Sequence, residues 1–260
     1  MVVFFDIDGT IVDNATQVIP HSAIRAVERL RERGHIPIVN TGRPFAHIDP
    51  RVREMAFSGW ICGCGMEILL NGEHLHFELP STELCRLVRT AARDCGMKAL
   101  YEPAAPAVLF DGHWSDHPIL QREMDQMRAK GFQVLPLDED EPRFMKMVTF
   151  DWEGCRREEF IHRVEPYFTC IHRENTMLEL VLKGHSKAGG MEQLLKALGV
   201  RRVDTVAIGD STNDLPMFQV AKHTVCMAGG MDELKAQAEF VTDTVLNNGI
   251  EKALEHYQLI

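Results

Sequence analysis

A chain of 260 residues, 45% hydrophobic and 25% charged, has the make-up of a folded globular protein and excludes the disordered and fibrous classes; its length suits one large domain or two smaller ones. A formal net charge of −10 with no Lys/Arg-rich tract disfavours nucleic acid as the main partner, and an anionic substrate would need a cation or a placed lysine to be held. No apolar run reaches the roughly 18 residues of a membrane span. The N-terminus lacks a basic n-region and Asp6 interrupts its apolar run, so a cytoplasmic protein is expected.

Val2–Phe5 is a run of strand formers that ends in Asp6-Ile7-Asp8-Gly9-Thr10. Side chains alternate faces along a strand, so Asp6 and Asp8 should project to one side where it stops. In open α/β sheets, ligands bind at the carboxyl ends of the strands. Two like charges so close need an offset: a cation, a shared proton or full solvation.

Ser22–Arg33 reads as a helix, preceded by Pro20, capped by Ser22 and stopped by Gly34. Ile36–Asn40 is a short strand running into Thr41-Gly42-Arg43-Pro44, and Trp60–Cys62 is a third. Asn71-Gly72, between Glu67–Leu70 and Glu73–Phe77, is the strongest hairpin signal in the chain. Gly63-Cys64-Gly65, after a strand, is similar to a dinucleotide loop but lacks the full GxGxxG. Seven cysteines without a CxxC pair read as free, mostly buried thiols. His74 and His76 have no further ligands nearby in sequence and read as surface polar groups rather than a zinc site.

After Pro80 the texture changes. Helices Ser81–Cys95, Pro118–Lys130 and Arg156–Glu165 alternate with strands Lys98–Tyr101, Val108–Phe110, Phe132–Leu135, Met145–Phe150, Phe168–Arg173 and Met177–Leu182. The run from Pro136 to Pro142, with its four acids, marks an exposed loop. Glu102, Asp111, His113 and Trp114 are expected at the surface of this α+β unit. From Gly184 the strand–loop–helix rhythm resumes, with helix Ala188–Leu198, strand Thr205–Ile208 entering Gly209-Asp210-Ser211-Thr212-Asn213-Asp214, a short strand at Val225-Cys226 and helix Met231–Ala238. The expected fold class is α/β: a doubly wound, Rossmann-like parallel-sheet core from residues 1–79 and 184–260, with an inserted α+β cap at 80–183.

Four loops thus carry complementary groups: Asp6 and Asp8; the Thr41 hydroxyl, the Gly42 amide and Arg43; Lys187; and Asp210, Asn213 and Asp214. Together they suit one hard divalent cation and the oxygens of a phosphate.

DIDGT at 6–10, NTGRP at 40–44, KGHSKAGG at 183–190 and GDSTNDLPM at 209–217 stand in an order and spacing that resemble the haloacid dehalogenase superfamily, most closely its Cof-type small-molecule phosphatases with a type IIB cap. The resemblance implies that Asp6 is a nucleophile forming an aspartyl-phosphate and that Asp8 is the general acid, then base. It implies Mg²⁺ held by Asp6, the backbone carbonyl of Asp8 and Asp210. Thr41 and Gly42 would hold phosphoryl oxygens and Lys187 would neutralise charge on Asp6 and the phosphoryl group. Asn213, grouped with the substrate-binding residues, and Asp214 would support the metal ligands and Lys187. Asp8 would have to carry a proton, which neighbouring carboxylates favour. Ala228-Gly229-Gly230 and Cys62-Gly63-Cys64-Gly65 depart from the Gly-Asn-Ala and Asn-Gly-Ala common in related sequences.

The implied reaction is Mg²⁺-dependent hydrolysis of small phosphomonoesters, sugar phosphates or similar metabolites, with neither nucleic acid nor membrane as partner. The alternatives are a phosphotransferase or mutase of the same superfamily and a non-catalytic phosphometabolite-binding protein.

Overall fold

A computed structural model describes residues 1–111, 118–137, 143–172 and 177–260. His113, Trp114 and the acidic loop at 138–142 lie outside the described residues. Along the chain the strands are β1 (Val2–Phe5), β2 (Ile36–Asn40), β3 (Gly59–Cys62), β4 (Glu67–Leu70), β5 (Glu73–Phe77), β6 (Lys98–Glu102), β7 (Ala107–Phe110), β8 (Gln133–Pro136), β9 (Lys146–Phe150), β10 (Phe168–His172), β11 (Met177–Leu182), β12 (Thr205–Gly209), β13 (His223–Cys226) and β14 (Phe240–Val241). The helices are α1 (His21–Glu32), α2 (Pro50–Arg53), α3 (Thr82–Asp94), α4 (Pro118–Ala129), α5 (Arg157–Val164), α6 (Lys187–Leu198), α7 (Leu215–Val220), α8 (Asp232–Lys235) and α9 (Gly249–His256). Among the described residues, no helix is long and apolar enough to cross a membrane.

The chain divides into two compact units: Met1–Gly42, Ile48–Phe77 and Ser186–Ile260 form one, Arg43–His47 and Glu78–His185 the other. The first is built on an eight-stranded sheet in the order β14-β13-β12-β1-β2-β3-β4-β5. Its strands are parallel from β14 to β3, and β4 and β5 run antiparallel at one edge. β1 and β12 are buried along their whole length, as strands covered on both faces must be, which is why β1 is wholly apolar and β12 is apolar from Val206 to Ile208. Val2 and Phe4 join Ile38, Ile61, Met191, Leu194 and Met217 in one core beneath α6 and α7. On the opposite side α1 packs with α9. From β1 the chain winds outward to β2 and β3, and later to β12, β13 and β14 on the other side. The order therefore reverses at β1, and a crevice opens at the carboxyl ends of β1 and β12.

The second unit carries a six-stranded sheet, β10-β11-β9-β6-β7-β8, antiparallel except between β7 and β8. One face holds Ala99, Tyr101, Met147, Leu178 and Leu180 in a core with α3 and α5. The other holds Leu100, Val148 and Phe150 against Leu120 and Met124 of α4. Ser81 caps α3 by accepting from the Leu84 amide (3.2 Å).

Several local expectations need correction. Ser22 does not cap α1: the helix starts at His21 behind an extended Pro20, and the Ser22 hydroxyl donates to Asn248 Oδ1 (2.7 Å), fastening α1 to the start of α9. Glu102 and Asp111 are buried rather than exposed. Asp111 Oδ2 accepts from Arg89 Nε (3.1 Å) and Arg93 Nη2 (3.0 Å), two side chains one turn apart on α3. Glu102 lies 3.7 Å from His47 Nδ1. The expected helix at 231–238 shrinks to α8. The Asn71-Gly72 hairpin holds, with both residues at positive φ (51° and 86°), as a tight two-residue turn requires.

Candidate active site

The site grows out of the β1/β12 crevice. The Asp6 amide continues the ladder by donating to the Ile208 carbonyl (3.0 Å), so the side chain that follows is fixed by the sheet. The chain then folds back on itself: Gly9 N donates to Val12 O (2.8 Å), with Gly9 at φ +79°. A Cβ on Gly9 would lie 2.2 Å from Asp210 Oδ2. Only glycine lets the loops after β1 and β12 come this close. Asp210 is held from its other side by the Met231 amide on its carbonyl (2.7 Å), and its Oδ1 is reached by Thr10 Oγ1 at 3.4 Å.

Lys187 opens α6 behind Ser186, whose hydroxyl oxygen accepts from the Gly189 amide (3.0 Å). The helix seats closely on β3, since a Cβ on Gly190 would meet Ile61 Cγ2 at 2.4 Å. Lys187 is buried, and its Nζ donates to Asp6 Oδ1 and Asp214 Oδ1, both at 2.6 Å. Asp214 turns its other oxygen to the amides of Asp210 (2.9 Å) and Ser211 (3.1 Å). Both oxygens of Asp214 are thus engaged, and it acts as a strut between Lys187 and the Asp210 loop.

Carboxylate oxygens of Asp6, Asp210 and Asp214 lie within 4.8 Å of one another. Burial pushes Asp6 up to about 7; Lys187 opposes the rise, while Asp214 and Asp8 add to it. Asp210 rises to about 8, through burial first and then Asp6 and Asp214. Burial would lower Lys187, but Asp214 and Asp6 overcome it and hold the ammonium well above its ordinary range. One lysine does not balance the carboxylates gathered here, and the shortfall is positive charge. The donors are hard oxygens, and Asp6 and Asp210 are the two carboxylates not wholly spoken for, so the residues fit Mg²⁺.

The structure brings Asp6, Asp210, Asp214 and Lys187 together. Asp8 is half-buried and near enough to raise Asp6, but stands outside the close trio. Thr41 is buried, its amide on the Ile61 carbonyl (2.8 Å) and its carbonyl accepting from Cys64 N (3.1 Å). The departure at Cys62–Gly65 therefore backs the Thr41 loop directly, with Cys64 at φ +56°. Asn213 accepts from the Ser211 hydroxyl within its own loop. Thr10, Ser211 and Asn40 join the site beyond the expected residues. Ser211 and Asp214 form a capping box, legible as the S-x-x-D pattern. Asn40 is a lone amide at the end of an apolar strand, and its Nδ2 donates to the Lys187 carbonyl (3.0 Å).

The sequence matches the family described as haloacid dehalogenase-like hydrolase over residues 3–254. It is 26% identical to YkrA of Bacillus subtilis, a protein provisionally named as a phosphatase, over 99% of this chain and 98% of that one. It is 23% identical to YitU of the same organism, named a 5-amino-6-(5-phospho-D-ribitylamino)uracil phosphatase, over 97% and 95%. Among solved structures, a sugar phosphatase of HAD subclass IIB shares the fold with a TM-score of 0.82 at 22% identity, over 100% of this chain and 99% of the other.

Proposed function

Because the chain belongs to the haloacid dehalogenase-like hydrolases, we propose that it is a Mg²⁺-dependent phosphatase that hydrolyses small phosphomonoesters through an aspartyl-phosphate on Asp6. The observation that carries this reading is the buried Lys187, bonded at once to Asp6 and Asp214, beside Asp210. Residues 1–79 and 184–260 take the role of catalytic core, and 80–183 that of the cap that sets substrate choice.

Lys187 fixes Asp6 through Oδ1 and so orients the carboxylate for attack on phosphorus. Thr41, Gly42 and Asn213 hold the phosphoryl oxygens. As the bond from Asp6 to phosphorus forms, the ester P–O bond breaks, and Asp8 gives its proton to the departing alcohol. Asp8 then takes a proton from water, whose oxygen attacks the aspartyl-phosphate; inorganic phosphate leaves and Asp6 is restored. Asp6, Asp210 and the Asp8 carbonyl would hold Mg²⁺, since Asp214 has both oxygens engaged. When bound, the ion screens the approach of two anions and draws charge from the phosphoryl oxygens.

Sugar and polyol phosphates are the favoured substrates, supported by the names of the relatives: one acts on a phosphoribityl compound and another is a sugar phosphatase. The test is phosphate release from a panel of sugar, polyol and aryl phosphomonoesters with Mg²⁺ and with EDTA. Release that needs Mg²⁺ is expected. Isomerised product without free phosphate would point to a mutase, and a flat response across the panel to a binding protein; either result overturns the reading.

A further inference from the structure

We infer that Asn40 is a positioning residue for Lys187, coupling the phosphate-holding loop to the lysine that orients Asp6; the inference rests on the phosphatase reading above. Asn40 closes β2 and is fully buried. Its Nδ2 donates to the Lys187 carbonyl at 3.0 Å and approaches Met217 Sδ on α7 at 3.9 Å. Carbonyl oxygen and thioether are both acceptors, so the amide orientation is fixed: nitrogen faces them. Oδ1 is buried without a hydrogen-bond partner among the described residues. A buried amide that leaves its own acceptor unsatisfied is a poor stabilising element. Its worth lies in what its nitrogen holds.

What it holds is the backbone of the residue with the most demanding placement in the site. A lysine side chain has several rotatable bonds, and its Nζ here must stay 2.6 Å from two carboxylates at once. That requires a fixed Cα. Asn40 fixes it from the adjoining position to Thr41, whose own amide is anchored on Ile61. One dipeptide, Asn40-Thr41, thus carries the group proposed to hold the phosphoryl oxygens and the group that anchors Lys187. Supporting contacts of this kind set how closely reacting groups keep their productive geometry.

Two readouts test this. The first is acetylation of Lys187 by acetic anhydride in the metal-free protein, followed by mass spectrometry. Asn40→Ala should label Lys187 several-fold faster than wild type while the other lysines keep their rates. The second is a double-mutant cycle on phosphate release. Asn40→Ala should lower kcat about tenfold with KM little changed, because it misplaces a group that acts in the transition state. In the Lys187→Ala background the same change should cost less than about twofold, since a positioning effect has nothing left to act through. An equal loss in both backgrounds, or unaltered labelling of Lys187, overturns the inference. If Asn40→Ala does not fold, Asn40→Ser, which removes the carboxamide and keeps a small polar group, takes both measurements. Absence of phosphate release by the wild type would defeat the phosphatase reading instead, and the labelling would still decide the role of Asn40.

Discussion

Two of the protein's buried charge clusters are built on opposite principles. In the second unit, Asp111 faces the guanidinium groups of Arg89 and Arg93, so one carboxylate meets two cations. In the first unit, Asp6 and Asp214 share the Lys187 ammonium, and Asp210 adds a third carboxylate within reach of both. The first arrangement gives its one carboxylate more than enough positive charge. The second is left short of positive charge: burial first, and the neighbouring carboxylates after it, push Asp6 up to about 7 and Asp210 up to about 8. An unbalanced cluster at the carboxyl ends of buried strands is where the proposed Mg²⁺ would add the missing positive charge.

The sharpest way to break this contrast is to remove the proposed nucleophile. Asp6→Asn should lower phosphate release by about 10⁴-fold or more with an unchanged circular dichroism spectrum. Gly9→Ala comes next, because its Cβ would fall 2.2 Å from Asp210 Oδ2. Displacing Asp210 should cost about 10²-fold in kcat and raise the Mg²⁺ concentration needed for half-maximal rate. On the cation-rich side, Asp111→Ala removes the carboxylate that both guanidiniums meet. It should lower unfolding free energy by about 3 kcal/mol in a urea titration, while kcat per folded molecule stays at the wild-type value.

The smallest effect concerns His47, which stacks on Phe132 and contacts the Ala105 carbonyl (3.0 Å). Burial holds it below the ordinary histidine range, with Glu102 opposing. A histidine depressed in the folded state takes up its proton more readily when unfolded. Its share of stability is therefore full above the unfolded value, near pH 6.5, and is lost as pH falls below it. The melting temperature should drop by a few degrees between about pH 7 and about pH 5.5, and His47→Gln should flatten that drop.

Much of this was legible in the residues. Buried strands such as Val2–Phe5 announce themselves by composition, and polar groups at strand ends announce the crevice, so Asp6, Thr41 and Asp210 could be placed by periodicity alone. Lys187 was different, for nothing local distinguishes it from an exposed lysine at a helix start; the motif around it made the difference. The destinations of lone polar side chains were illegible. Ser22 finds Asn248, Asn40 finds Lys187, and Asp111 finds two arginines on another element. These pairings span long stretches of chain, and no short-range pattern encodes them. β14, two residues long, is too short for any period to register.

The central place of β1 has a consequence for how the protein is made. One of its edges pairs with β2, the next strand to be synthesised, but the other waits for β12, which begins at Thr205. Until the ribosome has delivered β12, an apolar strand keeps an open edge, a known route to misassociation. The same delay keeps Asp6 apart from Lys187 and Asp210, so the carboxylate proposed as nucleophile lacks its neighbours until both have been synthesised.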